Sequence, residues 1–223
     1  MAVETIIQLN EVELGGELAF PSDALGLVLF AHGSGSSRHS PRNLFVARTL
    51  LENKIGTLRF DLLTAEEEQA EAYTRHLRFN IPLLTERLIG ATRWALDRAT
   101  ARDITVGYFG SSTGAAAALM AAAELGNTIG AVVSRGGRPD LAGDALERVT
   151  APTLLIVGKN DTTVFPLNEQ AYERLTCEKA LRTVPNASHL FEEPGALEIV
   201  ASMASEWFAN HFYPMKQRAS QNF

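Results

Sequence analysis

The chain has 223 residues, of which 46% are hydrophobic and 21% charged, the proportions of a folded globular domain. Its net charge of −6, from 20 Lys and Arg against 26 Asp and Glu, excludes nucleic acid as an expected partner, since that needs a basic surface. A single cysteine, Cys177, excludes an intrachain disulfide and fits a reducing compartment.

In chain order, the first residues carry Glu4, Glu11 and Glu13 and no basic run, so they do not read as a signal peptide. Thr5–Leu9 and Val12–Phe20 alternate as antiparallel strands do, with Gly15-Gly16 expected as a turn or bulge. Leu25–Ala31, Gly56–Phe60, Ile104–Phe109, Ile129–Ser134, Thr153–Val157 and Ala180–Val184 are short apolar or β-branched runs. Helical patterns fall between them at Asn43–Asn53, Ile81–Ala99, Thr113–Leu125, Asn168–Thr176 and Ala196–His211. Such alternation predicts a parallel sheet covered by helices on both faces, in one domain spanning residues 1–223. The run Leu25–Ala31 is far too short to cross a membrane, and a cytoplasmic protein is expected. Residues 62–79 exceed the usual strand-to-helix connection and read equally as a solvated acidic helix or a lid. Met215–Phe223 read as a polar, frayed end. Nothing in the sequence specifies an oligomeric state.

The strongest chemical signal is Gly110-Ser111-Ser112-Thr113-Gly114, a G-x-S-x-G between a strand pattern and an alanine-rich helix pattern. A sharp strand-to-helix turn exposes a serine hydroxyl and leaves no room for side chains at the flanking positions, so Ser112 is the expected nucleophile. A serine needs a base, and the base an orienting acid. Asp161 follows the strand ending in VG, and His189 lies just past the next strand, so all three reach the carboxyl edge of a parallel sheet. After the strand LGLVLFA comes His32-Gly33-Ser34-Gly35, whose small residues leave backbone N–H groups free. The N–H groups of Ser34 and Thr113 are the expected oxyanion hole. A dinucleotide-type G-x-G-x-x-G would need glycine where Arg38 stands, and HExxH, CxxC and P-loop patterns are absent, so no metal or cofactor is expected.

The segments FAHGSGSSRHSPRN, GYFGSSTG, VVSRGGRPD, VGKND and VPNASHLFEEPG resemble the dienelactone hydrolase-like branch of the α/β-hydrolases, over Leu25 to Phe212. The resemblance implies an α/β-hydrolase fold with a mostly parallel eight-stranded sheet and no large cap domain. It also implies cofactor-free acyl hydrolysis of a small-molecule ester. Founding members carry a cysteine nucleophile and a carboxylate near the oxyanion strand. This chain has Ser112 and HGSGSS there, which points to a carboxylic ester in place of a dienelactone. A thioester would use the same groups, and a binding module without turnover would keep the fold. Arg38, Arg42, Arg135 and Arg138 all follow strand ends. They would serve either to clamp an anionic substrate, Arg135 first and Arg38 second, or to pair with carboxylates such as Asp61 and Asp140.

Overall fold

A computed structural model describes residues 2–74, 76–98 and 104–212; the expected frayed end at 215–223 lies outside the described residues. Eight strands form one sheet: β1 (Val3–Leu9), β2 (Val12–Ala19), β3 (Gly26–Ala31), β4 (Ile55–Phe60), β5 (Thr105–Ser111), β6 (Ile129–Arg135), β7 (Thr153–Gly158) and β8 (Lys179–Val184). Their order is β1-β2-β4-β3-β5-β6-β7-β8. β1 and β2 run antiparallel to their neighbours and every other pair is parallel.

β3, β4, β5, β6 and β7 are buried at every residue, which is why they lack the alternation of half-solvated strands. Their side chains divide between two cores. Tyr108 faces a core built with α3 (Ile81–Asp97) and α4 (Thr113–Leu125). The adjacent Phe109 faces the other, built with α1 (Pro41–Glu52) and α6 (Ala196–His211). No cap domain interrupts this layering among the described residues. Among the described residues, the 62–79 connection holds α2 (Ala65–Thr74) and a 3-10 turn at Leu77–Phe79.

Two local expectations change. Gly15 and Gly16 are neither turn nor bulge: they lie inside β2 in unbroken register, Gly15 opposite Ile6 and Gly16 opposite Thr5. The turn is at Asn10, which takes φ 40°. The physical reason for glycine is space, since a Cβ on Gly15 would sit 2.7 Å from the Arg38 guanidinium. The helix expected from Asn168 begins three residues earlier, as α5 (Phe165–Arg174), with Pro166 in its first turn. Pro139–Arg148 is a 3-10 segment broken at Gly143, too irregular for a periodic pattern to reveal.

After β3 the chain goes first to β4 on one side and later to β5 on the other. The loops leaving β3 and β5 therefore diverge, and the crevice between them opens at the carboxyl ends of the strands.

Candidate active site

Ser112 stands at that crevice, between β5 and α4, with φ 49° and ψ −124°. A non-glycine residue there is strained, and the strain persists because its surroundings hold it. A Cβ on Gly110 would lie 2.5 Å from the Ala115 Cα, and one on Gly114 would run into the Ala31 carbonyl oxygen. Both glycines let α4 start tight against the ends of β3 and β5. Ser112 is half-buried, while Ser111 is enclosed in β5 opposite Arg135.

Asp161 and His189 are brought together. The Asp161 carboxylate accepts from His189 Nδ1 at 2.7 Å through one oxygen and from the Val164 N–H at 3.2 Å through the other. Asp161 is buried, and His189 is partly exposed. With Nδ1 committed to the acid, Nε2 is the nitrogen left to act. The two loops are tied by backbone, Asn160 N–H donating to the Ala187 carbonyl at 2.9 Å. Glu193 accepts from the Ser188 N–H at 3.0 Å, and its carboxyl is held below the usual range, first by hydrogen bonding from the Ser188 side chain. Residues 136–138 link this pair to the serine. A Cβ on Gly136 would be 3.0 Å from the His189 carbonyl oxygen, and the Arg138 N–H donates to the Ser112 carbonyl at 3.0 Å. The buried Asn168 of α5 donates to Gly137 at 3.0 Å and Val164 at 2.9 Å, joining this segment to the acid loop.

Gly33 lies against the serine from the opposite side, a Cβ there falling 2.9 Å from Ser112 Cβ. The Thr113 N–H belongs to the first turn of α4, where a helix leaves donors unpaired. The Gly33–Ser34 peptide is fixed from behind by buried His32. The Leu62 N–H, which can only donate, reaches His32 Nε2 at 3.1 Å, so the proton sits on Nδ1 and is given to the Gly33 carbonyl at 3.1 Å. Ser36 N–H donates to the same carbonyl at 3.1 Å. A pinned carbonyl aims the N–H of Ser34 the other way, since the two are trans across one planar peptide.

Burial pushes the His32 pKa below its ordinary value of 6.5. The unfolded chain therefore takes up a proton there that the folded chain resists. Stability from this group is present above pH 6.5 and is lost as pH falls below it, until the folded value is reached. The melting temperature of the wild type should fall more steeply below pH 6.5 than that of His32→Ala. Parallel curves would remove His32 as the cause.

Two contributors carried no sequence signal. Glu71 of α2 is fully buried and accepts from the N–H groups of His76, Leu77 and Arg78 at 2.7, 2.8 and 3.1 Å. It also takes Arg78 Nε at 2.9 Å, and Arg78 Nη1 reaches the Ser34 carbonyl at 3.0 Å. The acidic connection is thus fastened to the loop after β3. Of the arginines, Arg38 is engaged by Asp61 through both its guanidinium and its N–H, Arg42 by Glu192 at 2.9 Å, and Arg138 by Asp140 at 2.8 and 2.9 Å. Arg38 is thus already paired with a carboxylate, as the second of its two expected roles has it. Among the described residues no group of three or more His, Cys, Asp or Glu could hold a metal, and no helix is long and apolar enough to cross a membrane.

Comparison with known proteins agrees with this architecture. The model of an alpha/beta hydrolase domain matches residues 24–205. A crystal structure of dienelactone hydrolase from Anabaena variabilis is 55% identical and superposes with a TM-score of 0.94, over 96% of this chain and 99% of that one. The esterase domain of a Rhodothermus marinus protein shares the fold at 17% identity and TM-score 0.75, covering 96% of this chain and 100% of that one. A Mycobacterium tuberculosis protein named "Putative phosphoribosyl transferase" is 51% identical over 208 residues, 93% of this chain but 46% of that protein. The chain spans about half the length of those curated relatives. By the family match and the 55% identity to a dienelactone hydrolase, the chain belongs to the α/β-hydrolases, in their dienelactone hydrolase-like branch.

Proposed function

We propose that this α/β-hydrolase cleaves a small carboxylic ester through an acyl-enzyme, with Ser112 as nucleophile, His189 as general base and Asp161 as orienting acid. The observation that carries the reading is Ser112 held at φ 49° on the edge that also presents the His189–Asp161 pair at 2.7 Å. His189 Nε2 takes the Ser112 proton as Oγ attacks the carbonyl carbon. The N–H groups of Ser34 and Thr113 receive the oxyanion, and His189 returns the proton to the leaving alcohol. Water, deprotonated by His189, then releases the acid and restores the serine. A thioester would follow the same steps.

The transferase name of the mycobacterial relatives belongs to proteins about twice as long. This chain matches 46% of their length, so in our reading the transferase activity named there lies outside the matched part.

With a p-nitrophenyl ester, the proposal expects an initial burst of p-nitrophenol stoichiometric with enzyme, or labelling of the enzyme by the acyl group in a rapid quench. Turnover with neither would oppose an acyl-enzyme. Arg78 is expected to act as a positioning residue through the Ser34 carbonyl. Removing an oxyanion donor outright costs about 10²–10³ in kcat. Arg78→Met, which only loosens one, should lower kcat about tenfold with KM little changed, and Arg78→Lys should recover part of it. A change in KM alone would reassign Arg78.

A further inference from the structure

Arg135 ends β6, opposite Ser111 and one residue before the glycine that packs on His189. It is 8% exposed, and its Nε and Nη1 are buried without a hydrogen-bond partner. The other arginines that follow strand ends each hold a carboxylate, and among the described residues Arg135 holds none. Its surroundings are the ring of Phe191, 5.8 Å from the guanidinium carbon, and a second cation, Arg42. Arg42 in turn has a buried Nε without a partner, beside its bond to Glu192. Burial, and then the charge of Arg42, push the Arg135 pKa down to about 10, which leaves it protonated at neutral pH. A buried, unpaired guanidinium next to another cation is unfavourable unless something supplies the negative charge. The planar fork suits the paired oxygens of a carboxylate or phosphate.

We propose that Arg135 binds the carboxylate or phosphate group of an anionic substrate whose ester is presented to Ser112. The substrate assignment rests on the hydrolase reading, but the anion site itself does not. Its position, at the end of the strand next to β5, sets the anionic group to one side of the reacting carbonyl.

The test uses the full chain carrying Ser112→Ala, so that no turnover intervenes. Its melting temperature is followed against inorganic phosphate and, separately, succinate, with chloride at matched ionic strength as reference. A rise that grows with the logarithm of anion concentration is expected with at least one anion, and the anion that gives it names the group. The rise should vanish in Ser112→Ala/Arg135→Met. If that variant does not fold, Arg135→Lys takes its place, with binding expected to weaken at least about tenfold because the fork is lost. No rise with either anion, or an equal rise in the Arg135 variant, overturns the proposal. In the Ser112 background, mono-p-nitrophenyl succinate and p-nitrophenyl butyrate are then compared. Arg135→Met should lower the ratio of their kcat/KM values, anionic to neutral, by about 10–100-fold. An intact anion-dependent rise with neither ester hydrolysed by the wild type would sink the hydrolase reading and leave the anion site standing.

Discussion

Ser112→Ala is expected to lower kcat for a p-nitrophenyl ester by about 10⁶, the scale of loss when a nucleophile that works as a unit with its base is removed. The protein should still fold. Alanine relieves none of the backbone strain at φ 49°, but it adds no atom to a site where Gly33 already approaches Ser112 Cβ. Melting temperature and sheet content should match the wild type, which separates a chemical defect from a folding one. Ser111→Ala is the internal control. Ser111 is enclosed in β5, so turnover should stay within about tenfold of wild type. Loss in Ser111→Ala with activity kept in Ser112→Ala would shift the nucleophile by one residue.

Asp161→Asn is expected to lower kcat by about 10⁴. The carboxylate now accepts from His189 Nδ1 and from the Val164 N–H. An amide can keep one of these bonds as acceptor, but if its NH2 faces the imidazole it forces the proton onto Nε2. The nitrogen that must take the serine proton then already carries one. The neighbouring carboxylates cannot substitute: Asp140 is held by Arg138, and Asp144 pairs with Arg174 at 2.9 Å on the surface. Activity measured across the three asparagine variants decides the matter. Full activity in Asp161→Asn with loss in Asp140→Asn would reassign the acid.

The parts of this molecule legible from sequence are those where local pattern and chain order carry the information. The buried strands read as uninterrupted apolar runs because both sheet faces are covered. The G-x-S-x-G stood out because glycine at 110 and 114 is demanded by atoms only a few residues away or on the adjacent strand. Other features depend on contacts that no local pattern encodes. The AEEEQAEAY segment has the composition of a solvated helix, yet Glu71 is fully buried because three backbone N–H groups and Arg78 surround it. Gly15-Gly16 looks like a turn by composition, yet both lie in β2 paired with Ile6 and Thr5, where a Cβ on Gly15 would meet Arg38. In sequence, Arg135 ranks first among four arginines near strand ends, with Asp61 and Asp140 as candidate partners for the others. Among the described residues the fold gives Asp61, Glu192 and Asp140 to those three and no acid to Arg135.

The central claim is that Ser112 is an activated nucleophile, and an irreversible fluorophosphonate probe tests it most directly. The probe phosphonylates a serine only when an adjacent base and an oxyanion hole promote the attack. Wild-type protein should gain one probe mass, located by peptide sequencing on Ser112, and His189→Ala should label far more slowly. An unlabelled wild type, or a label on Ser111 or Ser34 with Ser112 untouched, would contradict the account.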